Sequence, residues 1–402
     1  MEPILSSIEF QMSLLLFMAL AGYLLASRIN QSAVIGEIIV GLIIGPSLLG
    51  WITANDFVTS IAHLGAVILL FVVGLEFKLK DIYNIKYGII GLVGVIIPWI
   101  GGYYLSTTFG YDFKSSVFVG TALTATSIAI TANVLKEMGK LQTEAAKAII
   151  GAAVIDDVLS LLILSISDQI VGGTFSVGTT AFVIIKAVLF LAIGSFIGIK
   201  FLSRLLGKID SSNFAKKYPE FVFIFAMMIA FFYAMTAELI GLSAIVGAFI
   251  AGVALEGVGL MHSKNYKEGA EYLHIIFASI FFISLGIIAD FHAITPNVIW
   301  FLIALTAVAV ITKLIGCTIP AKLMGISGKE SIIIGFGMSP RGEVAMIVAL
   351  IGLNKGLIGQ EIYVSLVLMS LLTTIITPIV LRNWLYKEKE NPSVNSKSDS
   401  IL

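Results

Sequence analysis

The chain has 402 residues, 58% of them hydrophobic and 12% charged, with a mean hydropathy of +1.02. Soluble chains carry about a quarter charged residues, so the composition excludes a soluble enzyme and specifies an all-α polytopic membrane protein. The 25 basic and 25 acidic residues balance to zero, which argues against nucleic acid as a partner, and a single cysteine, Cys317, excludes an intrachain disulfide.

Apolar runs of about 20 residues, the length that crosses a bilayer, predict thirteen spans: 9–27, 33–50, 57–77, 88–107, 115–135, 143–170, 178–203, 219–237, 241–257, 271–289, 295–321, 330–352 and 360–385. The first follows acidic Glu2 and Glu9 with no basic leader, so it reads as a span and not a signal peptide. Glu37 and Glu76 lie toward the cytoplasmic ends of the second and third spans, where snorkelling or cavity lining explains them as well as ion binding does. The fifth contains TALTATSIAIT, whose Thr121, Thr124, Thr126 and Ser127 offer hydroxyls to a broken helix. Bonding back to the preceding turn is the alternative for them.

The sixth span carries adjacent aspartates, Asp156 and Asp157, at its centre. Carboxylates at that depth are costly and read by default as an ion or proton site. Neighbouring helix positions point about 100° apart, so one carboxylate can face an ion while the other pairs with a cation. Lys313, mid-span in the eleventh, is the best such cation, a purely structural ion pair being the alternative. The twelfth holds Gly335, Gly337, Pro340 and Gly342 within eight residues, enough to interrupt a helix. Its Arg341 and Glu343 read as supporting charge at that break. The last segment, 387–402, is short, charged and without apolar period, so it reads as a disordered cytoplasmic tail with no regulatory domain appended.

Orientation follows from the basic residues. With the N-terminus outside and the C-terminus cytoplasmic, only Lys114 and Lys355 of the 25 fall outside, and Lys186, Lys313 and Arg341 fall within spans. All others, among them Lys78, Lys80, Arg204, Lys208, Lys264, Lys389 and Lys397, are cytoplasmic. An internal repeat pairs SAVIGEIIVGLIIG from Ser32 with SAIVGAFIAGVALEG from Ser243, aligning Gly36 with Gly247 and Gly41 with Gly252. The copies lie seven spans apart and so have opposite orientation, the architecture of secondary transporters with a midplane ion site.

With these residues in order, the chain resembles the cation:proton antiporter-2 family, specifically its NapA-type sodium/proton exchangers. The matching pieces are GEIIVGLIIGPSLLG, LLFVVGLEFKL, TALTATSIAI, AAVIDDVLSLL, ITKLIGC and GFGMSPRGEVAMI. The resemblance implies the sodium/proton antiporter fold, with inverted repeats and two discontinuous crossing helices, as a homodimer in the plasma membrane. It implies a dimerisation part over about 1–80 and 215–290, a mobile core over about 85–172 and 294–386, and a linking helix at about 178–203. Carried over, Asp157 is the main carrier of cation and proton, Asp156 pairs with Lys313, and Thr126 and Ser127 flank the unwound segment. From the residues themselves, Lys313 is the candidate second proton carrier and Thr124 and Pro340 sit at the breaks. The cargo is Na+, with Li+, against H+, and no cofactor is expected. Potassium-efflux relatives of the Kef type carry Gln-Asp in place of Asp-Asp and add a nucleotide-binding domain. The other readings are a potassium/proton antiporter, a cation-sensing protein or channel on the same scaffold, and an intramembrane aspartic protease, which needs its two aspartates on different helices. His63, His262, His274 and His292 are candidates for tuning pH response.

Overall fold

The structure is a computed structural model that describes residues 7–78, 84–172, 176–218, 220–258, 266–289, 292 and 296–387. Expectations for Glu2, Lys80, His262, Lys264, Lys389, Lys397 and all but the first residue of the tail lie outside the described residues. Every regular element among them is helical. Ten stretches are long and apolar enough to cross a membrane.

The first repeat opens with α1 (Ile8–Arg28), α2 (Ala33–Ile44) and α3 (Asp56–Gly74). The expected second span overshoots: α2 stops at Ile44 because Pro46 drives the preceding Gly45 into extended backbone (φ −75°, ψ −177°). Next come α4 (Ile85–Thr108), the half-helices α5 (Phe113–Thr124) and α6 (Ile128–Glu137), and α7 (Glu144–Gly172). The helix expected at 178–203 runs longer. α8 (Val177–Ile197) runs through a π-turn at Gly198–Leu202 into α9 (Ser203–Asp210), since Lys200, Arg204 and Lys208 end the apolar run without breaking the helix. A short α10 (Asn213–Lys217) leads to the second repeat, α11 (Glu220–Leu239), α12 (Ala244–Leu255) and α13 (Tyr266–Ile288). The expected ninth span, 241–257, is likewise trimmed to α12. The chain closes with α14 (Pro296–Leu323), the half-helices α15 (Gly328–Gly337) and α16 (Glu343–Asn354), and α17 (Gln360–Val380).

Packing repeats the sequence symmetry. α2 lies on α13 and on α1, while its counterpart α12 lies on α3 and on α11. The glycines make these contacts. A Cβ on Gly41 would strike the Ile283 carbonyl and crowd Gly286, and one on Gly252 would strike the Phe71 carbonyl and crowd Gly74. Small residues let backbones approach where lipid supplies no hydrophobic drive between helices. A second group packs α4 against α14, α5 and α7, with α15 and α17 on α14. Trp51, Trp300 and Trp384 stand exposed near helix ends, the placement of interfacial aromatic belts.

Candidate functional site

Both half-helix pairs break midway along their spans and meet there. At Ala125 the chain turns extended (φ −62°, ψ 139°), and α6 restarts after Ser127. α15 ends at Gly337, and α16 restarts after Gly342 (φ −136°, ψ −144°). Each break supplies partners the other lacks. The Ser127 amide donates to the Pro340 carbonyl (2.9 Å), Thr131 Oγ1 to the Gly337 carbonyl (2.6 Å) and Thr126 Oγ1 to the Met338 carbonyl (3.4 Å). Irregular backbone at membrane depth survives only when buried and satisfied in this way.

Arg341 is fully buried and caps the end of α15, with Nη1 donating to the carbonyls of Ser339 (3.1 Å) and Met338 (3.3 Å). Its own amide and carbonyl are bonded by Thr373 and Thr374. A guanidinium among orphan carbonyls at a helix C-terminus offsets the negative end of the dipole. Glu343 opens α16, and its side chain lies outside the described residues. The Thr121 and Thr124 hydroxyls donate back to the Val117 and Thr121 carbonyls, the alternative reading, and Thr121 Oγ1 also meets Ser167 Oγ at 2.7 Å.

Lys313, on α14, reaches three acceptors: Asp156 Oδ1 at 2.5 Å, the Gly94 carbonyl at 2.7 Å and the Thr124 carbonyl at 3.1 Å. Both carbonyls are free for a local reason. Thr124 ends α5, and Gly94 lies four residues before Pro98, which has no N–H to give it. The ammonium's three donors are thereby satisfied. Asp156 and Lys313 are 1% and 0% exposed, and such a pair holds only with this added hydrogen bonding.

Asp157 points elsewhere. It is 6% exposed, and its Oδ2 has no hydrogen-bond partner in the structure. It lines a small cavity with Thr126, Ser127, Ser243, Gly342 and Val344. Three helices begin at this cavity: α6 after Ser127, α12 after Ser243 and α16 after Gly342. Each brings amides without helical partners and the positive end of a dipole. That field is what allows a buried carboxylate there. A wider vestibule, bordered by Val58, His63, Glu238, Leu161, Ile347 and Tyr363, leads from the surface to Asp157.

The structure therefore brings together Asp156, Asp157, Lys313, Thr126, Ser127, Arg341 and Pro340, and sets the Thr124 hydroxyl aside. Sequence reasoning missed Ser243, Gly94 with Pro98, and the Thr373–Thr374 pair. Ser243 had a signal in its repeat alignment with Ser32, and Pro98 in its place inside an apolar run.

Comparison with known proteins settles the family. Residues 14–387 match the family described as "Sodium/hydrogen exchanger, transmembrane". The chain belongs to the transmembrane sodium/hydrogen exchangers. Among this exchanger's relatives, the Na(+)/H(+)-K(+) antiporter GerN of Bacillus cereus is 36% identical over 375 residues, covering 93% of this chain and 95% of that one. The Na(+)/H(+) antiporter of Enterococcus hirae is 32% identical over 380 residues, covering 94% and 98%. The sodium proton antiporter MjNhaP1 of Methanocaldococcus jannaschii shares the fold, with a TM-score of 0.70 at 16% identity over 94% of this exchanger and 98% of that chain.

Proposed function

We propose that this exchanger is a secondary antiporter that trades cytoplasmic sodium, and lithium, for external protons at Asp157. The observation that carries the reading is a buried carboxylate with one oxygen unpartnered, at the inner end of a vestibule and beside two broken helices. A hard cation takes oxygen ligands, and Asp157, with the hydroxyls of Thr126 and Ser127 nearby, supplies them. A proton claims the same oxygen, so the two ions compete for one seat and their fluxes are coupled.

Asp156 is held by Lys313 and joins only when a cation draws it away. Loss of the lysine's proton at that step supplies a second transported proton, so exchange moves net charge. Each charge crossing 100 mV carries about 2.3 kcal/mol, enough to drive sodium out against a gradient. In this reading α4–α7 and α14–α17 form a mobile core, α1–α3 and α11–α13 a dimerisation scaffold, and α8 the link. The exchanger works as a plasma-membrane homodimer with its N-terminus outside, and the vestibule faces out. Access alternates as the core slides against the scaffold. The potassium in the name of the Bacillus cereus relative favours one second reading, in which potassium is also carried.

The test is purified protein in liposomes with an acidic lumen and a dye reporting the proton gradient. Sodium and lithium should collapse it, and Asp157→Asn should abolish the response. Collapse by potassium alone would move the protein to the potassium branch, and an active Asp157→Asn would refute the carrier assignment.

A further inference from the structure

The helix between the two repeats is longer than a bilayer is thick. From Val177 through the π-turn at Gly198–Leu202 to Asp210 it runs 34 residues, about 51 Å at 1.5 Å per residue, against a hydrocarbon core of about 30 Å. Its last part is basic. Lys200, Arg204 and Lys208 recur every four residues and so share one face. Residues 198–217 hold five basic side chains against one acid, Asp210.

The π-turn is pinned by close contact: a Cβ on Gly198 would strike Ala254 of α12 and crowd the Tyr233 hydroxyl of α11. Beside that contact a cleft opens between α9, the C-terminal end of α12 and the chain just after α3. Ile199 and Val253 give it an apolar floor, and Lys78, Arg204 and Glu256 stand around it. Lys78 and Arg204 are exposed, and among the described residues neither has an acidic partner within ion-pair distance. Gly207 forms part of the wall. Glycine weakens a helix relative to any residue but proline, and a Cβ there would meet nothing within 4 Å, so packing does not demand it. What the missing side chain preserves is the open cleft.

We propose that this cleft binds an anionic phospholipid with a hydroxyl-bearing headgroup. The lipid enters from the leaflet that these basic residues face, which in the proposed orientation is the cytoplasmic one, the usual side for basic pockets that hold anionic headgroups. Its phosphate sits between Lys78 and the planar fork of Arg204, whose geometry matches phosphate oxygens. Glu256 accepts from a headgroup hydroxyl, and the acyl chains begin over Ile199 and Val253. Two cations against one carboxylate leave net positive charge, and Lys200 and Lys208 nearby add to it, so a zwitterionic headgroup is disfavoured. Free phosphate could meet the cations but has no use for the apolar floor. Binding here is independent of the ion carried at Asp157, and its test needs no flux.

The experiment is the melting temperature of the purified full chain in neutral detergent, because a ligand that binds only the folded state raises it. Dioleoylphosphatidylglycerol should raise it by several degrees, and phosphatidylcholine, phosphatidylethanolamine and inorganic phosphate should each do so by much less. In Lys78→Gln/Arg204→Gln the phosphatidylglycerol shift should fall to the phosphatidylcholine level. Gly207→Leu should abolish the extra shift by filling the cleft with every charge kept, while its lipid-free melting temperature stays at or above wild type. Lys322→Gln/Lys329→Gln removes two exposed lysines elsewhere and should keep the full shift. Native mass spectrometry should count one fewer tightly held phosphatidylglycerol per chain in both cleft variants. A wild-type shift and lipid count in both cleft variants would overturn the proposal. An equal shift with inorganic phosphate would overturn the lipid assignment, and an equal shift with phosphatidylethanolamine would overturn the selection for negative charge.

Discussion

Lys313 answers three shortages at once: a carboxylate without a counter-ion, a carbonyl stranded by Pro98 and a carbonyl stranded by the end of α5. Removing one member of a buried pair costs about 3–5 kcal/mol, because the other charge is left uncompensated. Lys313→Ala should therefore lower thermal stability markedly, and Asp156→Asn in the same chain should restore much of it. A double mutant whose loss equals the sum of the single losses would show the two are not coupled. In transport, Lys313→Ala should retain exchange while charge movement on a supported membrane falls or disappears. The partnership of these two residues was legible from residue type and depth alone. The role of Gly94 was not, since it depends on a proline four residues away and on a helix 219 residues away coming within reach.

The two broken elements differed in legibility for a physical reason. α15 and α16 are separated by Pro340 and Gly342, which cannot sustain a helix and so announce the break. α5 and α6 are separated by Ala125, Thr126 and Ser127, none of them a breaker, and the interruption exists because Pro340 and Lys313 take up the freed Ser127 amide and Thr124 carbonyl, while Met338 accepts from the Thr126 hydroxyl. Only its hydroxyls and the family resemblance pointed to it. Glycine packing can be tested at this scale: Gly286→Val places atoms against the backbone of Ile38 and Leu42, and overpacking costs about 1–3 kcal/mol or more. A melting temperature at the wild-type value would contradict that close approach. Outside the membrane, Asp112 caps α5 by accepting from the Ser115 amide (3.1 Å). Its hydrogen bonds to Ser115 hold the carboxyl below the usual carboxylate range. A depressed folded value means the cap contributes fully above the unfolded pKa of about 4 and is lost as pH falls through the lower folded value. Asp112→Ala should thus cost about 1 kcal/mol near neutrality and progressively less in acid. A deficit that persists unchanged in strong acid would mean the carboxylate charge is not what stabilises the cap.

For the whole molecule, the order of spans and the repeat were readable because lipid forces every backbone group into helices and makes each crossing an apolar run. The convergence of three helix N-termini on Asp157 was not readable, because it arises from how the two repeats interlock. In the proposed function, that carboxylate is the place where sodium and proton exclude each other. The most direct measurement is the apparent KM for sodium as a function of pH in liposomes. Competition at a single site predicts that, on the acid side, the apparent KM rises about tenfold per pH unit while the maximal rate holds, since each bound proton must leave before sodium enters. A KM that stays flat while the maximal rate falls with acidification would place the proton on a group other than Asp157 and contradict the account.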